Sequence, residues 1–127
     1  MLTATTRVMA ALAEAHVALD AVIGSAGDEG ERYEPGLLDP PPALVVLTDG
    51  ANGGTYQSAD GRSGSFPATP LPGPRVDAYG CGDSFAAGLT FGLGTDMTLD
   101  DALALAARCG AACRAGRGPY GNQLAEP

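Results

Sequence analysis

The hydrophobic residues of this chain are spaced in two ways, and each spacing predicts a different element. Near the N-terminus they recur every three or four positions, as on one face of a helix, so we expect a helix over residues 3–15. Residues 17–23 and 43–47 are instead short, nearly continuous apolar runs, which are typical of strands buried on both faces. A helix followed by such strands indicates an α/β fold with a parallel sheet.

The middle of the chain predicts a hairpin. Residues 55–59 and 63–68 flank the pair Asp60-Gly61, and an Asp-Gly pair between two short runs is a hairpin signal. The proline-rich segment 32–42 reads as a loop inside one sheet, because strands are predicted on both sides of it. We therefore expect residues 1–127 to form a single α/β unit.

The C-terminal half predicts two helices. The first begins near Gly82 and breaks at residues 94–97, and the second runs from Thr98 to about Arg114. The sequence Thr98-Leu-Asp-Asp resembles a capping box, with Asp in place of the usual Glu. Residues 123–127 are expected to form a frayed tail. The apolar face of the first helix carries Phe85, Leu89 and Leu93.

Charge and composition narrow the possible partners. The net charge is −8, which disfavours nucleic acid and anionic membranes, and no apolar run reaches membrane-spanning length. All seven basic residues are arginines, so a Walker A loop, a protein-kinase ATP lysine and a Schiff-base lysine are excluded. Any phosphate group must be bound by backbone amides, arginine or metal. The hydrophobic content of 45% indicates a globular protein.

The cysteines and the histidine suggest no catalytic group. Cys81, Cys109 and Cys113 are odd in number and lack paired C-x-x-C spacing, so we interpret them as reduced thiols in a cytoplasmic protein. Cys109 and Cys113 are one helical turn apart, and two small core residues are a simpler reading than half a metal site. His16 precedes an apolar run and is interpreted as a partly buried structural residue.

The segment that carries chemistry is Gly80-Cys81-Gly82-Asp83. Small residues allow the backbone to approach a ligand closely, and the first amides of a helix have no internal partners. A glycine-rich loop that opens a helix is therefore an anion site. A carboxylate at that point would repel a stored phosphate. Asp83 makes sense if it takes a proton from a hydroxyl that attacks a phosphoryl group.

The run from Asp77 to Gly88, DAYGCGDSFAAG, resembles the C-terminal signature of the ribokinase-like (PfkB) sugar kinases, usually D-T-x-G-A-G-D-x-F-x-x-G. Ala78 stands where Thr or Pro is usual, and Cys81 replaces the middle Ala. The resemblance implies that the backbone of Gly80, Cys81 and Gly82 forms the anion hole and that Asp83 is the catalytic base. A plain glycine-rich helix start is the alternative.

The resemblance implies a fold and a reaction. The fold would be a three-layer α/β structure with a mostly parallel sheet, equivalent to the C-terminal part of a ribokinase-like kinase. The reaction would be phosphoryl transfer from ATP to a hydroxyl of a sugar or related small molecule. Carbohydrate is the family default, although nucleoside acceptors also occur.

Other positions match the family's ATP-binding segments. The run Thr48-Asp-Gly-Ala-Asn-Gly53 resembles the T-x-G-x-x-G turn around the phosphates and ribose, so Thr48, Gly50 and Gly53 are candidate ATP contacts. Asn52 stands where a cationic residue is common. Arg108 falls where Asn or His often lies near the adenine. A glycine-rich β-turn and a solvent-facing arginine are the alternatives.

Two carboxylates are candidate cation ligands. Ser25-x-x-Asp28 is the preferred match to the family's N-x-x-E motif, which helps to place Mg²⁺, and Asp28-x-x-Glu31 is the other match. A carboxylate suits Mg²⁺, although a solvated acidic loop explains the segment as well. Asp77 corresponds to a residue that shapes a monovalent-cation site, such as one for K⁺. A turn carboxylate is its alternative role.

The chain is about half the length of a ribokinase-like enzyme or less, and nothing in it matches the family's N-terminal half, which supplies most sugar contacts. We therefore expect a fragment or a truncated reading frame. Three functions stay open: an ATP-dependent kinase, a nucleotide-binding remnant without catalysis, and an interaction fragment. In the third case an exposed sheet edge would bind a second copy or a complementing chain.

Overall fold

The structure is a computed structural model, and it describes residues 1–125. It contains two compact units, Met1–Pro67 and Ala68–Pro127, which we describe separately. The first unit holds the sheet, and the second holds two long helices. The expectation of one unit over residues 1–127 stays a prediction. Of the expected frayed tail, Glu126 and Pro127 lie outside the described residues.

The first unit is built on a five-stranded mixed sheet whose strands lie in chain order. The first three strands are parallel neighbours, and the last three are antiparallel neighbours. The α/β class predicted from the sequence is confirmed. The strands are β1 (Thr3–Thr5), β2 (Ala21–Ser25), β3 (Leu44–Thr48), β4 (Gly54–Ser58) and β5 (Ser63–Phe66).

The N-terminal prediction was only partly right. The expected helix over residues 3–15 is observed only as α1 (Met9–Ala15). Residues Thr3–Thr5 form β1, which pairs in parallel with β2, and Thr6–Val8 form a 3₁₀ turn. Two of the three β1 residues are β-branched threonines, and pairing with the buried β2 outweighs the helical spacing of the following residues.

His16 was also assigned the wrong environment. It is exposed rather than partly buried, and its backbone ends α1 in the left-handed conformation at φ 50°. Its Nδ1 lies 3.2 Å from the carbonyl oxygen of Asp39. The residue therefore caps a helix at the surface, which apolar neighbours in the sequence could not reveal.

The core of the first unit lies around β2. Ala21, Val22, Ile23 and Gly24 are buried, as the continuous apolar run predicted, and Leu19, Val22 and Leu38 form a cluster. Met9 and Leu12 of α1 pack against that cluster. The predicted hairpin is confirmed, because β4 and β5 pair in antiparallel fashion across Asp60-Gly61. Burying this surface is the main favourable contribution to the stability of the unit.

The second unit consists mainly of α2 (Cys81–Gly94) and α3 (Leu99–Arg114), close to the predicted boundaries. The two helices approach each other at two glycines of α2. A Cβ added to Gly88 would lie 3.0 Å from the Cα of Ala106, and one added to Gly92 would lie 2.9 Å from the Cα of Ala102. The small residues in this pair of helices are therefore required for the packing. Within residues 1–125, no helix is long and apolar enough to cross a membrane.

The capping box of α3 provides a test of the fold. The Oγ1 of Thr98 accepts a hydrogen bond of 3.2 Å from the amide of Asp101, as predicted. Replacing Thr98 with Ala should lower the free energy of unfolding by about 1 kcal/mol, because that amide loses its acceptor. Chemical denaturation would measure the loss, and Thr98→Ser should be close to wild type. Equal losses in both variants would contradict the capping role.

Candidate functional site

The start of α2 depends on the conformation of Gly80. This residue has φ 80° and ψ 0°, a left-handed conformation that side chains disfavour. A Cβ added to Gly80 would also lie 2.5 Å from the Cβ of Pro119. Both the backbone angle and the contact require glycine here. The turn brings the chain into α2 so that Asp83 falls in the first helical turn.

Two amides at this turn have no acceptor. The amide of Cys81 donates to the carbonyl of Ala78 at 3.3 Å, and the amide of Ser84 donates to Gly80 at 2.9 Å. Among the described residues, Gly82 and Asp83 find no such partner. The space where a Gly82 side chain would stand is open. Gly82 and Asp83 therefore present unpaired donors at the positive end of a helix dipole, which suits an anion.

Asp83 is exposed beside these amides and lines a cavity of about 670 Å³ in the second unit. Phe91 of α2, Leu105 and Cys109 of α3, and Tyr120 also line the cavity. Among the described residues that line it, Asp83 has the only charged side chain. An exposed carboxyl group therefore lies next to an apolar space large enough for a small molecule.

Asp77 is held by two backbone amides. One carboxylate oxygen accepts from Tyr79 at 3.0 Å, and the other accepts from Gly118 at 3.0 Å. These hydrogen bonds, with a smaller contribution from the Arg117 guanidinium, hold the pKa of the Asp77 carboxyl below its usual range. Since both oxygens are engaged, Asp77 joins two loops of the second unit.

Two thiols near the site, those of Cys81 and Cys109, are protonated at neutral pH. Partial burial, followed by the hydrogen bond with Cys113, raises the pKa of Cys81 to about 11. Burial also raises the pKa of Cys109. All three cysteines are free, and a buried thiol with a raised pKa is a poor nucleophile. The reading of Cys109 and Cys113 as small packed residues fits this environment.

In the first unit, the candidate ATP and Mg²⁺ residues follow two neighbouring strands. Ser25 at the end of β2 is paired with Thr48 at the end of β3, and the amide of Ala26 donates to the Thr48 carbonyl at 2.8 Å. The hydroxyl of Thr48 donates a hydrogen bond of 3.2 Å to the carbonyl oxygen of Gly24, so its proton is not available to a ligand. Asp28 is exposed and accepts from the amide of Gly30 at 2.9 Å, which leaves its second oxygen open to solvent.

The predicted nucleotide turn is a compact 3₁₀ turn. Gly50 and Gly53 have φ values of 52° and 81°, which side chains disfavour, and the amide of Gly53 donates to Gly50 at 3.2 Å. The side chain of Asn52 donates to Asp49 at 3.2 Å. These positive φ values explain why glycine occupies both positions. The space beside Gly50 is also open, so a ligand could approach its backbone.

One sequence-based candidate, Arg108, does not join these groups. Arg108 is exposed on α3 and is not among the described residues that line the cavity. No group of three or more His, Cys, Asp or Glu side chains within residues 1–125 could hold a metal ion. A metal ion that is bound by a single carboxylate together with phosphate oxygens would not require such a group of side chains.

Sequence reasoning missed the residues that support the Gly80 turn from outside it. Pro119 packs against Gly80, and Cys113 is fully buried with its thiol directed at the Tyr79 and Pro119 carbonyls. The only available signal was the glycine-rich GRGPYG segment after α3. Its spacing indicates a loop but not the element that the loop contacts.

Comparison with known proteins assigns the chain to a family. The profile of the pfkB family carbohydrate kinases matches residues 6–125. The chain belongs to the pfkB family. No curated protein matches it significantly. The kinase resemblance carried by the Asp77–Gly88 segment is confirmed at this level.

Solved structures share the fold of this pfkB-family chain. An E. coli protein assigned as ribokinase II, in complex with ATP and Mg²⁺, has a TM-score of 0.69 and 25% identity. The match covers 83% of this chain and 36% of that one. Ribokinase from Cryptococcus neoformans var. grubii, in complex with ADP, has a TM-score of 0.70 and 25% identity, with 87% and 43% covered. The chain thus spans less than half the length of these kinases.

A third relative extends the range of bound molecules. Aminoimidazole riboside kinase from Salmonella enterica has a TM-score of 0.66 and 25% identity, and its structure contains aminoimidazole riboside and an ATP analogue. The match covers 88% of this chain and 41% of that one. Structures in this group of neighbours therefore hold a nucleotide, and in this case a riboside as well.

Two glycines of the site should respond differently to substitution. Gly80→Ala should destabilise the second unit by more than the roughly 1–2 kcal/mol of a left-handed residue, because its Cβ also collides with Pro119. Gly82→Ala should stay within about 1 kcal/mol of wild type, since the space is open and alanine favours a helix. Thermal unfolding of both variants would measure the difference. Similar losses would contradict the described turn.

Proposed function

We propose that this pfkB-family chain carries the catalytic part of an ATP-dependent kinase that phosphorylates a hydroxyl of a sugar or nucleoside. The observation that carries the proposal is the exposed Asp83 carboxylate beside the unpaired amides of Gly82 and Asp83. A base beside an anion site is the arrangement that phosphoryl transfer to a hydroxyl requires. Family membership and neighbours bound to ATP and Mg²⁺ support the reaction class.

In this mechanism, Asp83 accepts the proton of the acceptor hydroxyl while the hydroxyl oxygen attacks the γ-phosphorus of ATP. The bond between that phosphorus and the β–γ bridging oxygen breaks, and ADP leaves. Backbone donors of the Gly80-Cys81-Gly82 turn stabilise the charge on the phosphoryl oxygens. The Cys81 amide is already bonded to Ala78, so the Gly82 and Asp83 amides contribute most. No lysine is available to share this role. The helix dipole therefore supplies much of the positive potential.

We propose that Thr48, Gly50 and Gly53 contact ATP and that Arg108 lies near its base. Gly50 offers open backbone, and Thr48 would act as an acceptor because its proton goes to Gly24. The free oxygen of Asp28 fits Mg²⁺, which takes one or two carboxylates together with phosphate oxygens and water. When bound, Mg²⁺ would neutralise phosphate charge.

A monovalent cation such as K⁺ at Asp77 is a weaker proposal. Both oxygens of this carboxylate already accept backbone amides, so a cation would have to share lone pairs with them. We propose a sugar or related small molecule with a hydroxyl as the acceptor, and we include neither nucleic acid nor membrane among the partners. The free cysteines are consistent with a cytoplasmic protein.

The matched motifs support assignment of this chain to the C-terminal portion of the family fold. The chain spans 36% of the E. coli protein and 43% of the Cryptococcus kinase. This short span favours a second candidate function, in which the chain binds nucleotide without catalysis until a complementing chain or a second copy supplies the acceptor contacts. Sugar-dependent ATP hydrolysis or transfer by the chain alone would distinguish the first function from the second.

Replacement of Asp83 with Asn tests the role of the base. Loss of the proton acceptor should lower phosphoryl transfer by about a hundredfold or more, while Mg·ATP affinity stays within a factor of three, because Asn keeps the size of the side chain. Calorimetric titration with Mg·ATP and a coupled assay with ribose and inosine would measure the two quantities.

Gly82→Glu is the matched control for the anion site. Its side chain would enter the open space above the amides and place a negative charge there, so Mg·ATP binding should be lost while the fold is kept. An Asp83→Asn variant with full activity would overturn the base role. Unchanged nucleotide binding by Gly82→Glu would overturn the anion site.

A further inference from the structure

The last turn of α3 holds the loop that leads into α2. The backbone carbonyl of Arg114 accepts hydrogen bonds from the amides of Val76 and Asp77, at 3.0 and 3.3 Å. Cys113, the residue before it, is fully buried. Its thiol lies 3.6 Å from the carbonyl oxygen of Tyr79. These three contacts therefore connect the end of α3 to the segment that immediately precedes the Gly80 turn.

The loop after α3 is connected to the same segment. The Asp77 carboxylate bridges the amides of Tyr79 and Gly118, and the Cys113 thiol also lies 3.7 Å from the carbonyl of Pro119. Pro119 in turn packs against Gly80. We call this set of contacts the loop clamp, made by Asp77, Cys113 and the backbone of residues 79, 114, 118 and 119.

We propose that Cys113 and Asp77 are positioning residues for the anion-binding amides of Gly82 and Asp83. The inference rests on the proposed function, since it concerns the same site. Tyr79 immediately precedes Gly80, so its carbonyl and the Gly80 amide belong to one peptide plane. A donor that fixes this carbonyl fixes the plane from which Gly80 turns, and therefore the direction of the amides that follow.

The chemistry of the thiol suits this role. Besides its hydrogen bond with the Cys81 side chain, the thiol lies near two carbonyls that belong to two different loops, and its single S–H hydrogen can be donated to either carbonyl. Cys81 makes a similar contact with the Asp77 carbonyl at 3.6 Å. A purely apolar side chain of the same size would fill the space but would leave those carbonyls without this donor. Packing and positioning can therefore be separated by substitution.

Cys113→Ser and Cys113→Val form a matched pair for this test. Serine keeps a donor but is smaller and more polar, whereas valine fills the core without a donor. If Cys113 positions the loop, Cys113→Val should weaken Mg·ATP binding by about threefold or more, and Cys113→Ser should bind within twofold of wild type. If Cys113 only packs the core, valine should bind as well as wild type.

Thermal stability separates a positioning role from a packing role, because the two roles predict different rankings of the Cys113 variants. Burial of a hydroxyl should make Cys113→Ser the less stable variant in thermal unfolding, although it should bind nucleotide better than Cys113→Val. This opposite ranking of stability and binding is the expected result. Identical rankings in the two measurements would overturn the positioning role.

A second readout keeps the inference separate from the proposed function. The amides of Gly80 and Tyr120 follow the two accepting carbonyls, so their nitrogen chemical shifts should change in Cys113→Val and much less in Cys113→Ser. If wild type fails to bind Mg·ATP, the proposed function fails, and these shifts still decide whether the clamp forms. Equal shifts in both variants would overturn the clamp.

Asp77→Asn tests the carboxylate of the clamp, whose two oxygens accept hydrogen bonds from the amides of Tyr79 and Gly118. The side-chain amide of asparagine has one oxygen and one nitrogen, so it cannot accept at both positions. Asp77→Asn should therefore unfold at a lower temperature than wild type, because one of the two amides loses its acceptor.

Mg·ATP binding at pH 7 should weaken by about threefold or more in Asp77→Asn, because its amide group cannot accept at both positions. Wild-type affinity for Mg·ATP in Asp77→Asn would overturn the role of Asp77.

Discussion

The site depends on a single left-handed turn that is fixed on both sides. Gly80 enters α2 at an angle that only glycine adopts easily, and Pro119 occupies the space where any larger residue would extend. The turn leaves the Gly82 and Asp83 amides unpaired and sets the Asp83 carboxylate beside them. Without it, α2 could still form, but its first donors would point elsewhere.

Helix packing supplies the support for that turn. The glycines of α2 let its backbone approach α3 closely, so the end of α3 lies within hydrogen-bonding distance of the segment before Gly80. Burial of apolar surface between the helices is non-directional, whereas the bonds at their ends are directional. The apolar contacts therefore hold the helices together, and the polar contacts of Asp77 and Cys113 determine the orientation of the loop.

The sequence predicted the elements with a strong local signal. The nearly all-apolar run at residues 17–23, the Asp-Gly hairpin and the Thr98 cap each depend on neighbouring residues, and each predicted element is present, although β2 covers Ala21–Ser25 and so begins and ends later than predicted. The strand at Thr3–Thr5 was missed because it forms by pairing with residues 18 positions away. Its own spacing continues the helical pattern of α1.

The candidate site was predictable only where its residues are contiguous in the sequence. The Gly80–Asp83 run was visible because its residues are contiguous, and the family profile supports its reading. The part played by Cys113 was not visible, because it arises from a contact between residues 34 positions apart. Likewise, the Asp77 carboxylate was read as a cation ligand, and the structure pairs it with amides from two loops.

The protonated state of Cys81 has an electrostatic consequence for the loop. With a pKa of about 11, this thiol stays neutral at every pH found in cells, although it lies at the first residue of α2. A thiolate there would cancel part of the positive potential at the helix start. Cys81 therefore adds no negative charge at the helix start, and the potential that an approaching anion experiences there comes from the backbone dipoles and the Asp83 carboxylate.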